Sequence, residues 1–273
     1  MISQNLPSPE IDPSLERQPR VRGVLVPPVD DPALERAFSV DLALLGLSER
    51  SANALMLDLG CGAGRHELAA ARLPVTTVAC DLSRAGLRDG RFFVGEDAAV
   101  HKHDGSLEWL QADGARLPFA GGTFDALICA ETLEHAWDDR ALLRELRRVA
   151  RPGARLAVSV PAFGPEWLVW WLSWRVTHTP GGHLRIYRPQ DLQMKLAEAG
   201  WKPYARRRRH AFESVYWLLG ALAGGGEPPP RVARAWRRLV NPEHSSRARL
   251  AARLERSFDP LLAKSIVVYA RAV

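Results

Sequence analysis

A glycine-rich turn directly follows an apolar segment in the first quarter of the chain. Residues 55–57 are apolar, and residues 58–64 then run Asp-Leu-Gly-Cys-Gly-Ala-Gly. A dinucleotide-binding turn of the GxGxxG type would need a third glycine at position 65, where the chain has Arg65. The Asp58 carboxylate would repel a diphosphate but suits a ligand with an ammonium group, and the glycines let the backbone approach that ligand closely. The turn therefore predicts a site for a ligand with a positive charge.

A second acid follows a second predicted strand. The β-branched segment 75–81 ends at Asp81, about 20 residues beyond the turn. That is the spacing at which a carboxylate binds ribose hydroxyls in βαβ nucleotide sites. S-adenosylmethionine has both a ribose and an ammonium group, so we expect it as the ligand.

Three further motifs follow in order along the chain. Residues 110–119 contain an Asp-Gly pair, residues 124–130 are mostly apolar, and residues 151–161 begin with Arg-Pro-Gly and continue as a predicted strand. Together with the glycine turn, this series resembles the class I S-adenosylmethionine-dependent methyltransferases, in particular the small-molecule group that includes the ubiquinone-pathway O-methyltransferases. The resemblance covers roughly residues 50–201.

The resemblance implies a fold and a set of cofactor contacts. The implied fold is α/β: a doubly wound, seven-stranded, mostly parallel Rossmann-like sheet with helical insertions, in agreement with the alternation of predicted strands and helices. In such a site Asp58 helps to hold the aminoacyl end, Asp81 takes the ribose and Asp113 meets the adenine amino group. The expected cofactor contacts are Asp58, Gly60, Cys61, Gly62, Gly64, Asp81, Leu82, Asp113, Gly114 and Ala130.

The segment Glu131-Thr-Leu-Glu134-His135 directly follows the predicted fourth strand. In the ubiquinone O-methyltransferases, and in the small-RNA ribose methyltransferases, a similar segment supplies ligands to a divalent metal, and a further histidine comes from downstream. The resemblance thus implies a Mg²⁺ or Mn²⁺ site formed by Glu131, Glu134, His135 and His183. Two alternatives stay open. His135 or His183 acts as a base without a metal, or the segment is purely structural; Glu131 is the third candidate catalytic residue.

A tryptophan-rich insertion is predicted at about residues 163–188. Trp167, Trp170, Trp171 and Trp174 fall at i, i+3, i+4 and i+7, which places four indoles on one helical stripe. The stripe either packs on the core, forms a wall for an apolar or ring-bearing acceptor, or makes a peripheral contact with a membrane surface.

A second insertion, at about residues 213–260, separates the last two predicted strands. These strands, Tyr204–Phe212 and Ser265–Ala270, are expected to form an antiparallel hairpin as in the family. Between them Arg231–Phe258 predicts two arginine-rich amphipathic helices. We predict a helical lid beside the acceptor pocket.

Length and composition indicate one domain at residues 31–273, which the resemblance implies is a methyltransferase domain, preceded by a flexible segment at residues 1–30. The formal net charge is +6, but only four of the 37 basic residues are lysines, and no RNA-binding module is recognisable, so nucleic acid is not the expected partner. We find no signal peptide pattern and expect a cytoplasmic protein. Cys61, Cys80 and Cys129 lack metal-binding spacing and are predicted to be reduced, buried thiols.

The expected function is methyl transfer from S-adenosylmethionine to a small-molecule acceptor, with oxygen as the expected acceptor atom. Two other functions stay open: methylation of RNA ribose, which predicts strongly salt-dependent RNA affinity, and a non-catalytic cofactor-fold protein that binds a partner through its tryptophan face and basic helices. The sequence leaves the oligomeric state, and the choice among oxygen, nitrogen and carbon, open.

Overall fold

A computed structural model describes residues 38–100, 102–172, 182–223, 230–240 and 245–273. The predicted flexible segment at residues 1–30 and the fourth tryptophan of the stripe, Trp174, lie outside the described residues.

Seven strands form a single mixed sheet in the order β3-β2-β1-β4-β5-β7-β6. The first five strands are parallel, and β7 pairs antiparallel with both β5 and β6. This is the doubly wound, mostly parallel sheet that the sequence predicts. The strands are β1 Leu55–Leu59, β2 Thr76–Asp81, β3 Ser106–Gln111, β4 Phe124–Ala130, β5 Ala150–Pro161, β6 Trp201–Arg209 and β7 Ser265–Ala272.

Helices follow most of the strands, and a short 3₁₀ turn at Leu133–His135 follows β4. Asp138 caps the helix after β4, because its side chain accepts a hydrogen bond from the Ala141 amide at 2.8 Å. This amide is one of the first in the helix, which have no acceptor within the helix itself. The helices of the described residues are α1 Glu67–Ala70, α2 Arg84–Val100, α3 Asp139–Val149, α4 Phe163–Leu172, α5 Pro189–Glu198, α6 Ala211–Leu222, α7 Arg231–Val240 and α8 Ser245–Leu262.

The central strands are buried on both faces. Leu57, Leu127 and Leu156 lie in the middle of β1, β4 and β5 and are fully buried in one core cluster. Near-continuous apolar strands of this kind are expected where helices cover both faces of a parallel sheet. The predicted thiols are also buried and unpaired with one another. Burial raises the pKa of Cys80 to about 12, so it stays a neutral thiol.

One predicted boundary is wrong. The sixth strand was expected at Tyr204–Phe212 but runs from Trp201 to Arg209. His210 then adopts a left-handed conformation with φ of 68°, and Ala211 begins α6. The strand ends early because the amides of Ala211 and Phe212 are hydrogen bonded to side chains of α8 rather than to a neighbouring strand.

The strand order places a crevice beside β1. Strand β2 lies on one side of β1 and β4 on the other, so the chain reverses its direction of winding between them. In open α/β sheets ligands bind at the carboxyl ends of the strands at such a switch point. The glycine turn after β1, Asp81 at the end of β2 and the Glu131–His135 segment after β4 all lie at this edge.

Candidate functional site

The glycine turn is held closely against the loop that follows β4. Gly60 has a φ of 78°, and a Cβ atom at this position would lie 2.0 Å from Oγ1 of Thr132. The Gly60 amide donates to the carbonyl of Cys80 at 2.7 Å, which ties the turn to β2. Gly62 and Gly64 also have positive φ. The backbone path of the turn therefore requires glycine.

Asp81 joins the end of β2 to the glycine turn. Its Oδ2 accepts a hydrogen bond from the Gly62 amide at 2.8 Å, and its Oδ1 accepts one from the Ser83 amide at 2.7 Å. A carboxylate oxygen can accept more than one hydrogen bond, so the half-buried group remains able to accept from ribose hydroxyls. The neighbouring Leu82 is 53% exposed.

Asp58 lies beneath the turn and not at its mouth. Its side chain is buried, and Oδ2 is 3.4 Å from Nδ1 of His66. Burial, and then the charge of Asp58, raise the pKa of the neighbouring Glu67 well above its usual range. The assignment of Asp58 to the aminoacyl end of the cofactor stays a prediction.

The remaining predicted cofactor contacts lie around the same crevice. Asp113 is exposed and accepts a hydrogen bond from the Ala115 amide at 2.9 Å in a turn after β3. Gly114 packs against Leu59, because a Cβ atom there would lie 3.0 Å from the leucine side chain. Cys61 is buried in the turn, and Ala130 is half-buried at the end of β4.

Three of the four predicted metal ligands come together. Glu134, His135 and His183 each offer a ligand atom, and these atoms lie within 4.8 Å of one another. The fourth residue, Glu131, points elsewhere: its Oε1 accepts a hydrogen bond from the Ser159 hydroxyl at 2.5 Å, and its Oε2 lies 4.0 Å from Nζ of Lys264. Glu131 adopts a left-handed backbone conformation with φ of 50°, which is uncommon outside glycine and turns its side chain away from the cluster.

Each histidine of the cluster is oriented through its Nδ1 atom. Nδ1 of His135 lies 3.2 Å from the carbonyl oxygen of Gly182, and Nδ1 of His183 lies 2.6 Å from Oε1 of Glu166. A carbonyl oxygen only accepts and a carboxylate accepts readily, so both Nδ1 atoms carry hydrogens and the lone pair of each neutral ring is on Nε2. Metal-binding histidines are typically oriented in this way.

Glu134 is the buried carboxylate of the cluster. It is fully buried, and neither of its oxygens has a hydrogen-bond partner among the described residues. Nε2 of His183 lies 3.9 Å from its Oε1. Burial, and then the charge of Glu131, raise the pKa of Glu134 well above its usual range. A buried carboxylate without a partner is costly, and a cation would compensate for it. One carboxylate and two imidazoles therefore fit a divalent metal ion.

Sequence reasoning missed two charged residues of this site, Glu166 and Lys264. Burial opposes ionisation of Glu166, but the hydrogen bond that its carboxylate accepts from Nδ1 of His183 holds the pKa of Glu166 below its usual range. Burial also opposes the charge of Lys264, but Glu213 and Glu131 raise the pKa of Lys264. Glu166 lies in the first turn of α4, which follows β5, and Lys264 directly precedes β7. Their positions near these strand ends are the signal that would have identified them.

The three described tryptophans of the stripe are half-buried or exposed and are not part of the core. Trp167 and Trp171 are 52% and 72% exposed, and the buried residue of α4 is Val169. Trp170 is half-buried and donates from Nε1 to Oε1 of Glu166 at 2.9 Å, which connects the stripe to His183. Trp137, two residues beyond His135, is 88% exposed. Trp170 thus shares the Glu166 carboxylate with His183, and Trp137 follows His135 closely in the chain.

Comparison with known proteins identifies the central part of the chain. Residues 57–158 match the family model described as a methyltransferase domain. These residues are a methyltransferase domain. They contain most of β1, all of β2 to β4, most of β5, and every cofactor contact that the sequence predicts. S-adenosylmethionine is the cofactor of this family.

Named relatives match the same part of the chain. A demethylmenaquinone methyltransferase of Corynebacterium glutamicum (strain R) is 36% identical over 115 residues, covering 40% of this chain and 45% of the relative. A ubiquinone biosynthesis O-methyltransferase of Xanthomonas oryzae pv. oryzae is 35% identical over 109 residues, covering 40% and 43%. The chain thus spans less than half the length of these relatives.

The similarity of fold extends further than the similarity of sequence. A solved S-adenosylmethionine-dependent methyltransferase of Methanosarcina mazei superposes with a TM-score of 0.56 at 14% identity, covering 86% of this chain and 98% of that one. The predicted fold class is therefore confirmed. In the part of the chain that the structure describes, no helix is long and apolar enough to cross a membrane.

Proposed function

We propose that this protein transfers a methyl group from S-adenosylmethionine to an oxygen of a small apolar or ring-bearing acceptor, with Glu134, His135 and His183 forming a divalent metal site. The observation that carries the proposal is the cluster of these three side chains beside the methyltransferase glycine turn. Localisation in the cytoplasm stays a prediction.

Methyl transfer is an in-line displacement at a carbon that the sulfonium activates, so the protein mainly aligns donor and acceptor and removes the acceptor's proton. The glycine turn and Asp81 would hold the nucleoside. A divalent ion held by Glu134, His135 and His183 would lower the pKa of an acceptor hydroxyl. Glu131, oriented by Ser159 and facing Lys264, is then the candidate proton acceptor.

The acceptor class is inferred from exposed tryptophans on the segments that carry the site residues. Trp137 follows His135 in the chain, and Trp167 and Trp171 lie on α4 with Glu166. Trp137, Trp167 and Trp171 expose large apolar surfaces, and apolar pockets with few polar groups bind ring-bearing ligands. Nucleic acid would instead require a basic surface at the site. Here the described residues of the site include three carboxyl groups, Glu131, Glu134 and Glu166, and the lysine beside them, Lys264, faces Glu131, which favours a small neutral acceptor over RNA.

The test is a calorimetric titration of Mn²⁺ into the protein presaturated with S-adenosylhomocysteine. We expect the natural protein to bind one Mn²⁺. Glu134→Gln keeps the shape of the side chain and should abolish this binding. The matched control Glu131→Gln, in the same segment but outside the cluster, should keep it. Glu166→Gln removes the charge that orients His183 and should weaken Mn²⁺ binding about 10- to 100-fold.

The two parts of the proposal fail separately. If S-adenosylhomocysteine does not bind, the methyltransferase activity itself is refuted. If it binds but Mn²⁺ does not, the metal site is refuted. The pair of His183 and Glu166 would then be the candidate base, because a carboxylate 2.6 Å from Nδ1 orients the imidazole for proton transfer through Nε2.

A further inference from the structure

Helix α8 turns its acids inward and its leucines outward. Glu255 and Asp259 are each only 6% exposed, whereas Leu250, Leu254 and Leu261 are 59%, 48% and 76% exposed. The spacing i, i+4, i+11 places the three leucines on one face of the helix. A surface helix normally has the opposite arrangement, with apolar residues facing the core.

The buried acids are fixed by the start of α6. Oδ1 of Asp259 accepts a hydrogen bond from the Ala211 amide at 3.0 Å, and Oε1 of Glu255 accepts one from the Phe212 amide at 3.1 Å. The first amides of a helix need acceptors, and carboxylates are favourable at this positive end of the helix dipole. These bonds set the rotation of α8 about its axis. The exposure of the leucines is therefore specified by the fold.

Helix α7 contributes to the same kind of surface. Its inner side is anchored by buried Ala233 and by Trp236, whose Nε1 donates to the carbonyl of Phe212 at 2.9 Å. Val232 and Leu239 are 49% and 72% exposed. We call the exposed large apolar residues of α7 and α8 the lid surface; they are Val232, Leu239, Leu250, Leu254, Phe258, Leu261 and Leu262.

Arginines accompany these apolar side chains. Residues 231–256 contain eight arginines, while the acids described on α7 and α8 are the two that are buried against α6. The side chains that the structure describes as exposed are Arg231, Arg234, Arg237, Arg238, Arg247, Arg253 and Arg256. The lid surface is thus apolar and strongly cationic.

We propose that the lid surface docks on an anionic lipid bilayer, with the leucines entering the headgroup boundary and the arginines contacting lipid phosphates. An interfacial helix combines exposed apolar residues with Lys or Arg, and its binding depends on both terms. A nucleic acid would use the arginines but not the leucines, and a second copy of the cationic surface would be repelled. The proposal does not depend on the reaction that the protein catalyses.

The test is co-sedimentation of the full chain with phosphatidylcholine vesicles that do or do not contain 30% phosphatidylglycerol, at low and high salt. We expect binding only to the anionic vesicles, weakened by salt. The double variant Leu254→Gln, Leu261→Gln should bind at least about tenfold more weakly. The matched control Phe92→Gln, Met194→Gln removes comparably exposed apolar side chains from α2 and α5 and should bind normally.

A second pair of variants tests the charge. Each basic residue near an anionic membrane surface contributes about 1 kcal/mol of binding free energy. The double variant Arg247→Gln, Arg253→Gln should therefore weaken binding by about 10- to 30-fold. The exposed pair Arg50→Gln, Lys202→Gln is the control. Binding of S-adenosylhomocysteine, the fold readout, should be unchanged in all variants.

Four results would overturn the proposal. The first is no sedimentation with anionic vesicles at low salt. The second is equal loss of binding in the control variants. The third is that the double arginine variant loses RNA binding while the double leucine variant binds vesicles as the natural protein does. That result would assign the surface to nucleic acid. The fourth is a stable dimer in sedimentation analysis that only the leucine variant dissociates, which would make the lid surface a contact between two copies.

Discussion

Two glycines of the same turn should differ greatly in their tolerance of a methyl group. Gly60 and Gly62 both have positive φ, at 78° and 54°, so alanine costs about 1–2 kcal/mol of backbone strain at either position. At Gly62 the new Cβ would meet nothing within 4 Å. At Gly60 it would lie 2.0, 2.6 and 2.8 Å from three atoms of Thr132, where carbon contacts prefer about 3.5–4.0 Å.

Relief of that overlap requires a shift of the turn or of the loop after β4. Overpacking of this kind costs about 1–3 kcal/mol. We therefore expect Gly60→Ala to lower the free energy of unfolding by about 2–5 kcal/mol and Gly62→Ala by about 1–2 kcal/mol. Urea unfolding measures both values, and titration with S-adenosylhomocysteine shows whether the turn still binds the cofactor.

A double-mutant cycle identifies the cause of the difference. Thr132→Ala removes two of the three overlapping atoms. In the Thr132→Ala background, the loss of free energy of unfolding caused by Gly60→Ala should therefore be smaller by at least about 1 kcal/mol. Equal destabilisation by the two glycine variants, or strict additivity in the cycle, would refute the steric reasoning.

Three further predictions concern the supports of the site. Asp139 is buried and forms ion pairs with Lys195 and Arg185, so Asp139→Asn should lower the free energy of unfolding by about 3 kcal/mol in urea; a change below 1 kcal/mol would contradict this. Burial raises the pKa of Asp259 to about 6, so the folded protein keeps a proton that the unfolded chain has lost, and stability falls by up to about 3 kcal/mol as pH rises from 4 to 6. Asp259→Asn should remove that slope, and an unchanged slope would refute the assignment. Deletion of residues 213–260 should abolish acceptor turnover but change the Kd for S-adenosylhomocysteine only a few-fold, whereas loss of both would mean that the lid is required for folding.

Local patterns were sufficient to predict which motifs meet at one edge of the sheet. The glycine turn, Asp81 and the Glu131–His135 segment each follow an apolar strand directly, so strand order alone brings them to one edge of the sheet. Glu134 and His135 are neighbours in the sequence, so only the distant His183 could not be assigned to the cluster from local sequence. The family resemblance predicted it.

Features decided by contacts between distant residues could not be predicted. Glu131 leaves the cluster because residue 131 adopts a left-handed backbone conformation and its side chain is held by Ser159. The sixth strand ends at Arg209 because acids some 45 residues later cap α6. Sequence periodicity predicts which residues lie on the same face of a helix or strand. It does not predict which of those faces distant parts of the chain will bury.

The pairing of β6 with β7 has an evolutionary consequence for the lid. Arg209, the last residue of β6, is paired in register with Ser265, the first residue of β7. The lid is therefore inserted between two residues that are paired across neighbouring antiparallel strands. A short hairpin turn could also connect the strands at this position. Such an element can be gained, lost or exchanged between related genes without disturbing the cofactor half of the protein. Acceptor choice can then diverge by replacement of a module while the methyl-donor machinery is inherited unchanged.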